Sequence, residues 1–423
     1  MKNSKAYRFL ITMILLIPLS LSAQNKAIDK AATMMGASQV NITPEKPTLM
    51  AGYGARKTPH TSIHDELFAS ALYFTGEKTK ILLITADLLG FSSPYVDELR
   101  KAISSKTGIP AENIMISAVH NHGGPATRIS ETDTLHTIDN YLLFLKEKLI
   151  NLSVDASKKS VPVRMSISKG VCNMNINRRS VFADGSVGLG RNPDGFCDHD
   201  LVTAKFEDLN GKTLAVLVNW PCHGTVSGQD NYRITGDWPG AAARYIKEKA
   251  GKDVVVAITI GASGDINPIY GPGNSFKEIE AVGFHVANEA WKSAAGATMF
   301  PIIDLQAINA VMTLPGKKAG KDELPHTTYE SGPDTEVRIT LLKIGDLVLS
   351  GISGELMTEI GRDIKTRSPY AQTIMVTHCN GTTGYICTDK SFTEGGYEVC
   401  VTRLMPGAEK LIISKYSELI HSF

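Results

Sequence analysis

The sequence predicts an α/β fold of mixed β-sheets with flanking helices, built as one large domain behind a short leader. Three observations carry this. Short apolar, β-branched runs alternate with helix-like segments, the composition is that of a globular chain, and no internal repeat or low-complexity linker breaks the pattern. Of 423 residues, 43% are hydrophobic and 21% charged, which argues against disorder, collagen and coiled coil. The 44 Lys+Arg against 43 Asp+Glu leave a net charge of +1 without a strongly basic block, so no nucleic-acid partner is expected.

Residues 1–23 read as a secretory signal. Lys2, Lys5 and Arg8 precede an apolar run from Phe9 to about Leu19, and Ser20-Leu21-Ser22-Ala23 ends at Gln24. The run is too short to favour a transmembrane anchor, so residues 24–423 are expected as a periplasmic or secreted domain. Export would place Cys172, Cys197, Cys222, Cys379, Cys387 and Cys400 in an oxidising compartment. None lies in a C-x-x-C pair, so buried thiols or a disulfide or two are expected, not a cysteine-rich zinc site.

Along the chain, Ile81 to Thr85 reads as a buried strand leading to Asp87, and Ser92-Ser93-Pro94 opens a helix with Pro near its first turn. Asn113 to Val119 is a second strand. Leu201 to Phe206 and Thr213 to Val218 flank Asp208-Leu209-Asn210-Gly211, a hairpin turn. Val254 to Ile260, Leu347 to Ile352 and Thr373 to Thr377 complete the strands, and helices start at Asp237 and Ser275.

Five of these strands run into chemistry. They end in His120-Asn121-His122-Gly123-Gly124-Pro125, in Asn219-Trp220-Pro221-Cys222-His223-Gly224, in Gly261-Ala262-Ser263-Gly264-Asp265-Ile266-Asn267-Pro268, in Ser353-Gly354-Glu355 and in His378-Cys379-Asn380-Gly381. Ligands of open α/β sheets gather outside the carboxyl ends of strands, so these five ends predict one site. His120, His122, His223 and Glu355 offer the imidazole and carboxylate donors that zinc takes, although an H-x-H pair alone also serves as a hydrogen-bonding element. The HExxH helix motif is absent. Gly261 to Asp265 is not a nucleophile elbow, because G-x-S-x-G needs glycine where Asp265 stands. Its glycines instead predict a close backbone approach with amides free for a ligand. Arg178, in Asn175-Ile176-Asn177-Arg178-Arg179, could bind a carboxylate or oxyanion, and Tyr385 could deliver a phenol. Adjacent arginines are also common as solvated surface, and a lone tyrosine as half-buried structure.

Together these motifs resemble the neutral (alkaline, non-lysosomal) ceramidase family in its N-terminal catalytic domain. The similarity runs from about Gly36 through Ile42-Thr43-Pro44 and Gly52-Tyr53-Gly54 to Gly396-Tyr397-Glu398. Its most specific parts are the H-x-H-x-G-P turn at His120, N-I-N-R at Asn175, W-x-x-H-G-T at Trp220, G-D-x-x-P at Gly264 and G-E at Gly354. The resemblance implies a hydrolase with one Zn2+ per chain, cleaving the N-acyl amide of ceramide to a sphingoid base and a fatty acid. It implies His120, His223, Glu355 and Tyr385 as zinc ligands, with His122 and Arg178 at the reacting amide and its oxyanion. Gly264 and Asp265 would shape the substrate pocket. The family's turn carries a catalytic serine where this chain has Asn267, which would orient the amide but cannot be a nucleophile. The family's C-terminal immunoglobulin-like domain is not expected to follow the catalytic domain here. The alternatives are a zinc amidase or esterase for another acylated small molecule, such as an amino sugar, and a non-catalytic periplasmic binding protein. The sequence specifies no oligomeric state.

Overall fold

The computed structural model describes residues 33–423 apart from 130–132 and 135, so the leader expected at 1–23 lies outside the described residues. Two sheets pack face to face between layers of helix. The larger sheet has nine strands. Its order is Val255–Ile260, Thr213–Trp220, Asp200–Asp208, Val161–Val171, Met34–Asn41, Phe68–Thr75, Lys80–Ala86, Ile114–Ala118, and Phe300–Pro301 pairs with Val161–Val171. The smaller runs Leu305–Lys317, Ser331–Ile344, Leu347–Ile352, Gln372–Val376.

Sequence explains why the inner strand Lys80–Ala86 is apolar from Ile81 to Ile84 rather than alternating. In Lys80–Ala86, Ile81 and Leu83 face the other sheet, beside Leu342, Leu347 and Ile374. Leu82 and Ile84 face the helices, beside Leu99, Ile103 and Leu145. A strand buried on both faces keeps no polar side. Each fully buried Leu or Ile contributes roughly 1.5–3 kcal/mol. The helix Ser93–Thr107 takes Pro94 in its first turn and closes on Gly108 at φ 68°, a left-handed cap that suits glycine. It buries Val96, Leu99 and Ile103, one stripe of an amphipathic helix. Asp237–Ala250 and Phe276–Ala294 cover the other half of the large sheet through Trp238, Ile246, Val282 and Val286. Thr358–Arg367 and Ala408–Ile420 cover the outer face of the small one.

Three neighbouring pairs within these sheets are parallel: Lys80–Ala86 with Ile114–Ala118, Thr213–Trp220 with Val255–Ile260, and Leu347–Ile352 with Gln372–Val376. Parallel partners end on the same side, so their exit loops converge there. The sheets are joined at that end, where Thr377 N donates to Ile260 O at 2.9 Å. Among the described residues, no helix is long and apolar enough to cross a membrane. All six cysteines are free thiols, and the four buried ones pack as small apolar groups, the first of the two alternatives expected for them.

Candidate metal centre

The loop after Ile114–Ala118 turns sharply, with His120 at φ 51°. Its Nδ1 lies 3.0 Å from Leu89 O, which holds the proton on that nitrogen and turns the Nε2 lone pair inward. The His120 Nε2 is 3.3 Å from Glu355 Oε2. The loop after Thr213–Trp220 repeats the device. His223 Nδ1 sits 2.7 Å from Ser263 O and 3.1 Å from Ile266 O, and its Nε2 is 3.2 Å from the same Glu355 oxygen. His122 N donates to Gly224 O, and the ring reaches the same point, with Nε2 3.2 Å from His120 Nε2. Ligand atoms of His120, His122 and His223 lie within 4.8 Å of one another.

Glu355 and Tyr385 face each other as register partners of a short parallel bridge between Glu355–Leu356 and Tyr385–Ile386. Burial pushes the Glu355 carboxyl up, but the imidazoles of His120 and His223 outweigh it and hold its pKa well below the usual range. Burial, with Arg178 adding to it, lowers His223 to about 4, and burial also holds His122 well down. His122 and His223 are therefore neutral imidazoles and Glu355 an ionised carboxylate at neutral pH, protonation states that suit a divalent metal.

Arg178 stands on the strand Asn175–Val181, where alternation sends it toward the centre and Asn177 and Arg179 to the opposite face. Its guanidinium is divided among four groups. Nε donates to Glu398 Oε1 at 2.8 Å, Nη2 to Tyr385 Oη at 3.0 Å and Nη1 to Asn267 Oδ1 at 3.3 Å, and Nη1 also lies 3.2 Å from His223 Nε2. Asn267 reaches it from the strand Ile266–Pro268, which pairs antiparallel with Asn175–Asn177.

The glycine-rich turn behaves differently from its sequence reading. The amides expected to be free for a ligand are spent on protein carbonyls: Gly264 N donates to Leu356 O and Gly261 N to Trp220 O. The close approach is to the Glu355 segment itself, since a Cβ on Gly264 would stand 2.7 Å from Glu355 O. The Asp265 carboxylate accepts from Thr358 N and Asn177 Nδ2, and burial raises its pKa to about 6. It lines a cavity of about 620 Å³ behind the arginine strand, together with Asn177, Arg179 and Arg191.

Two residues with no role in the sequence reading belong to this constellation. Glu398, 1% exposed, clamps both arginines, accepting from Arg178 Nε and from Arg179 Nη1 at 2.9 Å. Only its place in Gly396-Tyr397-Glu398 signalled it. His378 stacks on His120 with ring centroids 3.8 Å apart. Its signal was its position directly after a strand.

Fold and site define a mixed α/β protein whose strand ends gather a buried histidine–glutamate group able to hold a metal ion. A family model described as neutral/alkaline non-lysosomal ceramidase, N-terminal, matches residues 34–281, more than half of the chain. The chain belongs to that family. It is 25% identical over 269 residues to neutral ceramidase A of Dictyostelium discoideum, covering 59% of this chain and 37% of that one. It is 26% identical over 306 residues to neutral ceramidase B of the same organism, covering 62% and 41%. The neutral ceramidase of Drosophila melanogaster is 25% identical over 260 residues, covering 57% and 37%. The chain thus spans about two fifths of the length of these curated relatives. The crystal structure of neutral ceramidase from Pseudomonas aeruginosa superposes with a TM-score of 0.76 at 17% identity, over 93% of this chain and 75% of that one. That likeness concerns the fold.

Proposed function

We propose that this chain is a periplasmic or secreted zinc hydrolase that cleaves an N-acyl amide, with ceramide as the substrate. One observation carries the reading: His120 and His223, each oriented by a carbonyl at Nδ1, direct Nε2 at one Glu355 oxygen from 3.3 and 3.2 Å. The donor set fits zinc. It is nitrogen and oxygen only, the imidazole and carboxylate donors that zinc takes. Bound zinc would supply Lewis acidity and acidify a water toward about pH 7.

In this reading His120, His223 and Glu355 hold the ion, with Tyr385 beside Glu355 as the fourth ligand. Arg178 is placed to receive the developing oxyanion. Its geometry is fixed by Glu398, and one donor of this kind contributes about 3 kcal/mol at a transition state. His122 is a neutral imidazole inside the cluster, suited to carrying a proton to the departing amine. Asn267, tethered to Arg178 Nη1, orients the amide. Asn267 in the place of a serine, together with a neighbouring cavity lined by charged groups, also favours a second reading, an amide of a smaller polar amine such as an amino sugar.

The test is mass spectrometry of products after incubating the zinc-loaded protein with ceramides and with N-acyl amino sugars. Release of fatty acid and sphingoid base is expected, and His120→Ala should lose both zinc and turnover. Activity confined to the amino-sugar panel replaces ceramide by the second reading. Full activity in zinc-free His120→Ala sinks the proposal.

A further inference from the structure

His378 enters the centre without a place in the set above. Its ring is buried, and its Nε2 has no hydrogen-bond partner. Its backbone stands at φ 52°, a left-handed conformation that is unfavourable for a residue with a Cβ and persists where surroundings impose it. The surroundings here are specific. Ala118 N donates to its carbonyl and its own N donates to Gly354 O, so the strands that deliver His120 and Glu355 also hold His378.

The ring lies on His120 with centroids 3.8 Å apart and planes inclined by 13°. Ligand atoms of His120, Glu355 and His378 lie within 4.8 Å of one another. A metal sits in the plane of the imidazole it binds, at about 2.0–2.1 Å for zinc. Planes so nearly parallel meet far beyond that distance, so one ion cannot satisfy both rings. Two ions could, because paired metal sites lie about 3.5–4 Å apart, close to the stacking distance. We infer that His378 forms a second divalent-cation position beside the first, with Glu355 between them, offering an oxygen to each.

Charge decides where the second ion can stand. Arg178 occupies the His223 side, 3.2 Å from its Nε2, whereas His378 is grouped with His120 and Glu355. With two protein donors, the second position is the weaker one. This inference rests on the zinc reading above, which supplies the first ion.

The experiment is calorimetric titration of the chelator-stripped full chain with Zn2+, checked by metal content after equilibrium dialysis. Wild type should take one tight and one weaker equivalent. His378→Leu and His378→Ala should keep the tight equivalent and weaken the other at least tenfold, with unchanged circular dichroism. A single equivalent in wild type overturns the inference. So does a second equivalent that survives both substitutions unchanged, as adventitious surface binding would. Loss of the tight equivalent in a folded His378 variant would also overturn it, by making His378 a ligand of the first ion. Absence of any tight equivalent in wild type removes the zinc reading itself, an outcome distinct from losing the second position alone.

Discussion

Asp237 shows how one buried charge supports the site from outside it. It is fully buried at the start of Asp237–Ala250, and its carboxylate accepts from Ser227 N and Trp238 N, both at 2.8 Å, and from Val226 N at 3.3 Å. The adjoining Trp238 Nε1 donates to His223 O, so the acid braces the loop that carries the His223 imidazole. Burial nevertheless raises its pKa from 3.8 to about 6. The folded state then binds more protons than the unfolded state between those values. Its contribution is fully present below about pH 4 and is lost as pH climbs through about 6. Asp237→Asn should be less stable at every pH, because its amide presents a donor to an amide hydrogen, at a cost of about 1–3 kcal/mol. It should also lack this slope. The gap between wild type and variant, measured by urea denaturation, is expected to be wider at pH 4.5 than at pH 7 by about 2 kcal/mol. A gap that is constant with pH would show that Asp237 is ionised throughout.

At the level of elements, the centre depends on two backbones crossing at contact distance. The turn after Val255–Ile260 presses Gly264 against the Glu355 segment, where an added Cβ would meet Glu355 O at 2.7 Å and Leu356 C at 3.0 Å. Both are main-chain atoms, so neither can swing aside. Gly264→Ala should therefore push Glu355 away from His120 and His223. Overpacking of this kind costs about 1–3 kcal/mol. The expected result is a lower thermal midpoint together with weaker zinc binding. A fall in stability with zinc affinity intact would show that the crossing does not position the carboxylate.

Across the whole molecule, His120, His223 and Glu355 come from segments more than 200 residues apart at the extremes, and from both sheets. An ion bound by all three ties the sheets together only in the native state. At about a thousand times its dissociation constant it stabilises that state by about 4 kcal/mol. Chelation should lower the thermal midpoint of wild type by several degrees and leave His120→Ala unaffected. Equal chelator responses in the two proteins would mean that the ion binds elsewhere.

Much of this was legible in the sequence, because strands buried on both faces must be apolar, and Ile81 to Ile84 shows that pattern without a break. The residue types that follow each strand were legible too, since His120, His223 and Glu355 stand directly after such runs. Their convergence was not local information. It follows from a strand order in which Thr213–Trp220 sits beside Val255–Ile260 while Lys80–Ala86 sits beside Ile114–Ala118, and from the packing of one sheet on the other. Only that packing laid His378 on His120 and brought Glu398 beneath two arginines 219 and 220 residues earlier. It also spent the Gly261 and Gly264 amides on neighbouring carbonyls and left the cysteines unpaired. Sequence pattern records which side chains must avoid water. Which of them meet is settled by how the buried faces fit, a property of the assembled layers and not of any one segment.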